Sequence, residues 1–241
     1  MIKKQIGSTL IVVLIMLVLV TLIGTLAIKQ GILSLNIATN SQAQQLVLQN
    51  SDAATFNTEN PLNLKIAQTP IGMFGYLEKA NRNDKELVFC YRGSQADFFK
   101  LSDASLIYEN DSGTVVNNLK GTKGYCKVDS SENFFTSARK TVLTQVHVRY
   151  TETKQNAVFA DSLRGTDEEQ LKIPPAKRVV VTTISLMPTL SSASASEVDA
   201  CLSGKVVYTT NENNSLTKCL RDKHVPFTAH VTEYSTGQKV G

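Results

Sequence analysis

Four cysteines are the residues of this chain best suited to covalent chemistry: Cys90, Cys126, Cys201 and Cys219. No two form a C-x-x-C pair, and His147, His224 and His230 lie apart from them, so the spacing does not suit a zinc site. All four follow an apolar N-terminal segment that would carry them out of the reducing cytoplasm, which points to two disulfides. Of three possible connectivities, Cys90–Cys126 with Cys201–Cys219 is favoured, because both pairs close the shorter loops and flank strand-like runs. Four buried free thiols are the competing reading, since free cysteine packs as a small apolar side chain.

Other reactive groupings are missing from the sequence. There is no G-x-S-x-G, H-E-x-x-H, P-loop, G-x-G-x-x-G or EF-hand pattern. His147 and His230 sit among β-branched neighbours and read as packed or surface strand residues rather than general bases. Asp97, Asp103 and Asp111 do not match calcium-loop spacing and read as solvated loop acids. No catalytic residue, metal ligand or cofactor is expected, and the function is expected to be non-enzymatic. One basic cluster, Lys218, Arg221, Lys223 and His224, lies near the second cysteine pair. It is a candidate contact for DNA or a protein partner, with a solvated basic turn as the plainer reading. DNA affinity through it would be salt-dependent. Without Lys3 and Lys4 the chain has 23 Lys+Arg against 21 Asp+Glu, too balanced to demand nucleic acid as an obligatory partner.

The elements that must position these residues begin with an unusual N-terminus. From Gln5 to Ile28 no residue is charged, a run of 24. That exceeds the ~20 apolar residues needed to span a bilayer, and the ~7–15 of a secretory signal core. Thr25 and Ala27 offer only a weak small-residue cleavage pattern before Ile28. Lys3 and Lys4 favour an N-in orientation. No proline occurs between Met1 and Pro61, and apolar residues recur at Ile28, Ile32, Leu35, Leu46 and Ala53, so the helix is expected to continue to Phe56. Thr9 to Phe56 would be 48 residues, or roughly 72 Å at ~1.5 Å per residue. Gly24 and Gly31 are its weak points.

A short Lys-containing leader ending in glycine, ahead of a helix apolar in its first half and amphipathic in its second, resembles the type IV pilins. The family pattern of Gly, a variable residue, then Thr-Leu-Ile/Val-Glu reads here as Gly7-Ser8-Thr9-Leu10-Ile11-Val12. The glutamate is replaced by Val12, and Ser8 stands where Phe or Met is usual. The resemblance implies cleavage between Gly7 and Ser8 by a prepilin peptidase, and methylation of the new Ser8 amine. In the family, the glutamate of an incoming subunit pairs with the N-terminal amine of the subunit ahead. An unpaired carboxylate at the centre of a membrane helix costs about 2.5–3.5 kcal/mol on insertion scales. A subunit with Val12 needs no subunit ahead of it, which suits the first position, at the tip. The plainer reading of Val12 is one more apolar residue in a membrane span.

Within the family, the N-terminal quarter is similar to the PilX-type minor pilins, which also lack the glutamate. Thr21-Leu22-Ile23-Gly24 and Asp52-Ala53-Ala54 occupy the places of their characteristic elements. The expected organisation is a leader at 1–7, an assembly helix at 8–56 with a membrane span at about 8–28, and a periplasmic or extracellular head at 57–241. The resemblance implies a minor pilin that helps initiate pilus assembly at or near the tip and supports twitching motility, adhesion and DNA uptake. The implied partners are other minor pilins, the major pilin, a tip adhesin and the prepilin peptidase. The implied location is the inner membrane before assembly and the pilus afterwards. A pseudopilin of type II secretion and a membrane-anchored periplasmic binding protein are the alternative readings.

The head reads as strands. Glu86–Arg92, Thr141–Tyr150, Arg178–Met187, Lys205–Thr209 and Phe227–Tyr234 are rich in β-branched and aromatic residues. Val142, Thr144, Val146, Val148 and Tyr150 alternate, as do Phe227, Ala229 and Val231. This suggests an antiparallel sheet with one packed face, against the outer part of the helix. Asn57–Met73 is expected to be loop, Phe74–Asn81 a short helix, and Ser102–Lys127 a polar insertion closed by Cys90 and Cys126. Leu190–Glu197 is expected to be a surface loop, and Ser215–Lys223 a helical turn pinned by Cys201–Cys219. The fold class is therefore α+β and pilin-like: a long N-terminal helix packed on an antiparallel head with two disulfides.

Overall fold

The structure is a computed structural model and describes residues 8–79, 82, 84–92, 100–134, 141–152 and 177–236. Lys3, Lys4, Gly7 and Asp97 lie outside the described residues. Two compact units divide the chain, Met1–Gln45 and Leu46–Gly241. The boundary falls inside the first helix rather than at residue 57, because the last turns of that helix are built into the head's core.

Helix α1 runs unbroken from Ser8 to Glu59, 52 residues or about 78 Å at ~1.5 Å per residue. Gly24 and Gly31 do not interrupt it. In its apolar half the hydroxyls of Thr21 and Thr25 donate to the carbonyls of Val18 and Leu22, both at 2.8 Å, which satisfies them without solvent. The helix stops because Pro61 holds the residue before it out of the α region: Asn60 has ψ 125°. Pro61 does not lead into a loop, as expected, but opens a second helix, α2 (Pro61–Ala67). Its fixed φ and missing N–H suit a first helical position, and the Asn60 side chain accepts from Leu62 N at 3.0 Å. The next helix, α3 (Met73–Glu78), begins one residue early and ends sooner than expected.

Six strands form one antiparallel sheet: β1 (Glu86–Cys90), β2 (Ser105–Glu109), β3 (Val115–Val116), β4 (Leu143–Glu152), β5 (Lys177–Leu186) and β6 (Phe227–Thr236). Their spatial order is β3-β2-β1-β4-β5-β6. Strands β2 and β3 arise within the segment expected to be a polar insertion. Asn110 turns that hairpin by accepting from Thr114 N at 2.7 Å, with Gly113 at φ +77°. Lys205–Thr209 is no strand; Val206 makes a single parallel bridge to Ser215.

Both faces of the sheet are covered, not one. Every residue of β1 is buried. On one face Leu87, Phe89, Val146, Val148, Val179 and Val181 pack with Ala54 of α1 and with Met73, Phe74 and Leu77. On the other face Leu143, Ile184 and Leu186 pack with two further helices, α4 (Ala195–Gly204) and α5 (Leu216–Asp222), through Val198, Leu202, Leu216 and Leu220. Strand β6 is an edge strand, so Ala229 and Val231 stay exposed rather than joining a packed face.

Candidate functional site: the apolar helix and the disulfide-pinned layer

Between Leu10 and Ile37 every large apolar side chain of α1 is 47–72% exposed. A surface of this kind is not left to water, since apolar area is strongly favoured to leave it. Among the described residues α1 is the one helix long and apolar enough to cross a membrane. A helix satisfies its own backbone, as a lipid environment demands. Val12 lies exposed in this surface at 54%, and the first acidic residue after Ser8 is Asp52, forty residues beyond Val12. Ser8 is helical and is the first described residue; Gly7 lies outside the described residues.

The second grouping is covalent. Cys90 is joined to Cys126 and Cys201 to Cys219. The latter ties α4 to α5 within that layer, with Cys219 half-buried, and Cys90–Cys126 lies in the core that the layer covers. Ser194 caps α4: its side chain accepts from Glu197 N while the Glu197 carboxylate accepts from Ser194 N at 2.9 Å. Ser215 caps α5 by accepting from Lys218 N, without a returning carboxylate. The expected loop at Leu190–Glu197 is thus the entrance to a helix. The signal was in the sequence as Ser194-Ala-Ser-Glu197, a capping-box spacing followed by apolar Val198, Cys201 and Leu202.

The basic cluster on α5 is partly neutralised. Lys218 Nζ lies 2.9 Å from Asp222 Oδ2, and Lys223 pairs with Glu197 across to α4. The Lys223 hydrogen bond, then those from Ser194, hold the Glu197 carboxyl at about 2, against an ordinary 4.5. Asp222 raises Lys218, and Lys218 lowers Asp222. Arg221 is exposed. Two of the three cations therefore already face carboxylates, which reduces the field available to a phosphate backbone.

Beneath this layer lies a polar network that spacing did not reveal. Glu86 and His147 face each other from adjacent strands, 2.8 Å apart, with side chains 2% and 0% exposed. Glu86 also accepts from Val207 N at 3.0 Å and Tyr208 N at 2.7 Å. Gln145 accepts from Cys126 N and donates to the Leu202 carbonyl, each at 2.9 Å. Those two bonds fix which end of the Gln145 amide is oxygen. Its nitrogen then donates to His147 Nε2 at 2.9 Å, so the imidazole proton sits on Nδ1 and is given to Glu86. Glu86, Gln145 and His147 thereby tie β1 and β4 to Cys126, to the end of α4 and to the segment after it. Gly124 completes the seam: a Cβ there would lie 2.1 Å from the Val88 carbonyl oxygen. The role of His147 is that of a fully satisfied buried residue, and the only advance sign was its place in a β-branched run.

His230, on the edge strand, contacts Thr55 of α1 at 3.3 Å. Asp103 and Asp111 lie apart, and among the described residues no three His, Cys, Asp or Glu side chains gather to hold a metal. No protein-family model, curated protein or solved structure matches this chain.

Proposed function

We propose that this protein is a minor pilin of the PilX type that helps initiate type IV pilus assembly and stays at or near the pilus tip. The observation that carries the reading is the unbroken helix α1, whose large apolar side chains from Leu10 to Ile37 are 47–72% exposed and which has Val12 where a pilin's pairing carboxylate would stand. Prepilin peptidase cuts between Gly7 and Ser8, and the Ser8 amine is methylated. The apolar half waits in the inner membrane with its N-terminus on the cytoplasmic side. It then leaves the membrane by packing against the helices of other minor pilins. With no carboxylate to neutralise, the subunit avoids the ~2.5–3.5 kcal/mol that an unpaired one would cost in the bilayer, and can stand first. The major pilin adds beneath it, and a tip adhesin joins the same complex. Twitching motility, adhesion and DNA uptake are the processes such a complex supports. The ion pairs of Lys218 and Lys223 make a direct DNA contact at α5 a minor part of this reading.

Co-expression with a prepilin peptidase, followed by sequencing of the mature N-terminus, tests the class of protein. A methylated Ser8 is expected. Retention of residues 1–7, or an N-terminus after Ala27, sinks the pilin reading in favour of a plain anchor or a secreted protein. The tip assignment has its own test in Val12→Glu, which should disturb priming or placement. Normal piliation and localisation in that variant would leave Val12 without positional meaning.

A further inference from the structure

The two edges of the sheet are unlike. At one end β3 is two residues long, a common way of blunting an edge. At the other end β6 pairs with β5 through ten consecutive residues in one register, without a bulge. Residues 227–236 contain no proline, glycine or lysine. Among the described residues nothing pairs with the outer side of β6. Among the described residues its alternate backbone N–H and C=O groups are left as an unpaired row of the kind that accepts another strand.

The flank of this edge says what kind of strand fits. Helix α1 runs over β6 on one face of the sheet: Thr55 contacts His230 at 3.3 Å, and Tyr234 OH donates to Glu59 at 3.5 Å. Leu48, Asp52, Thr55 and Glu59 recur at three- and four-residue steps, so they share this side of the helix. Asp52 and Glu59 are both exposed there. On the opposite face of the sheet the edge offers exposed Ala229 and Val231. Glu233, exposed and paired with Arg178, follows Val231 on that face. The row is therefore acidic on the α1 side, and apolar on the other side at Ala229 and Val231. A second copy of this chain fits poorly, because a two-fold axis normal to the sheet would bring its own Asp52 and Glu59 to the same side. We propose that β6 is a docking edge for an extended segment of a different protein, one that adds as a seventh strand. Such a segment carries Lys or Arg toward α1 and apolar residues toward Val231. The edge offers this docking whether or not α1 enters a filament.

The test uses the full chain in zwitterionic detergent and ten-residue peptides alternating valine with lysine or valine with glutamate. The lysine peptide is expected to slow amide exchange across β6. It should bind about tenfold tighter than the glutamate peptide, the effect of exchanging attraction for repulsion at two exposed charges. Methylating alternate peptide nitrogens should abolish binding. Asp52→Asn with Glu59→Gln should erase the lysine preference and keep the exchange protection. Equal affinity for both peptides in the unsubstituted protein, no protection of β6, or undiminished binding of the N-methylated peptide overturns the proposal. So does β6-dependent self-association in sedimentation, which would assign the edge to a second copy.

Discussion

On one face of the sheet Leu87, Phe89, Val146, Val148, Val179 and Val181 meet Ala54, Met73, Phe74 and Leu77 in an apolar cluster, with the Thr55–His230 and Tyr234–Glu59 contacts at its β6 margin. On the other face the same strands present Glu86, Gln145, His147 and Thr182, all buried, beneath two disulfides. The difference follows from the covers. The first includes the last turns of a 52-residue helix, whose backbone is already organised over its length. The second is made of α4 and α5, ten and seven residues long, too short to persist alone in water. Non-directional burial is enough for the first. The second needs bonds that fix position: cystines, caps, and a buried carboxylate that tolerates only one placement of its donors.

The contrast predicts different tolerance to conservative change. Glu86→Ala should be the most damaging single substitution, at about 3–5 kcal/mol, because it leaves His147, Val207 N and Tyr208 N without an acceptor. Glu86→Gln should still cost roughly 2–3 kcal/mol, since either orientation of the amide turns a donor toward a donor. Leu87→Met, the neighbouring volume-conserving change on the apolar face, should cost less than about 1.5 kcal/mol. Chemical denaturation of the three variants reads this directly. If Glu86→Ala were no worse than Leu87→Met, the two faces would tolerate change alike and the buried network would fix no position.

The disulfides give the next largest effect and localise it. The bridges span separations of 36 and 18 residues. Chain entropy assigns roughly 4 kcal/mol to Cys90–Cys126 and roughly 3 kcal/mol to Cys201–Cys219. Cys201→Ser with Cys219→Ser should also speed amide exchange in α4 and α5 while leaving α3 and its apolar contacts protected. Uniformly faster exchange across the head would mean that the two layers open together.

Which parts were legible in the sequence follows the same division. The uncharged run before Lys29, the β-branched strands and the cysteine pairs are signals carried by single segments, and the α+β class could be read from them. The Glu86–His147–Gln145 network could not. Glu86 and His147 are 61 residues apart and meet only because β1 pairs with β4. Val146 and His147 look alike in a β-branched run, yet they point to opposite faces, and nothing local says that both faces are covered. The helix α4 was hidden differently: Leu190–Glu197 has the composition of a loop, and the Ser194–Glu197 spacing within it is the only local sign of a helix start. The edge character of β6, and hence the exposure of Val231, required the full strand order.

Helix capping supplies a smaller effect on the second face alone. Ser194→Ala removes the hydroxyl that accepts from Glu197 N, and should cost about 1 kcal/mol. The loss should appear in α4 exchange and in the global transition together, because α4 cannot fray without loosening Cys201. A change confined to the exchange of residues 194–197 would show that the cystine alone holds the helix.

The smallest predicted effect is a dependence on pH specific to this layer. Glu197 is held at about 2, against an ordinary 4.5, by its bonds to Lys223 and Ser194. Because the folded-state value is the lower one, its contribution is complete above about pH 4.5 and is lost as pH falls toward 2. The pair is exposed, so the contribution is screened and small. Glu197→Gln isolates it, since glutamine at this position still completes the capping box and does not titrate. The stability difference between the unsubstituted protein and this variant should be constant from pH 7 to 5 and shrink between 4.5 and 2. Leu87→Met, on the apolar face, should show a difference independent of pH over the same range. A Glu197→Gln difference that stayed flat to pH 2 would mean that neither the Lys223 contact nor the Ser194 bonds to the carboxylate persist in solution, leaving the cystine and the Glu86 network to position α4.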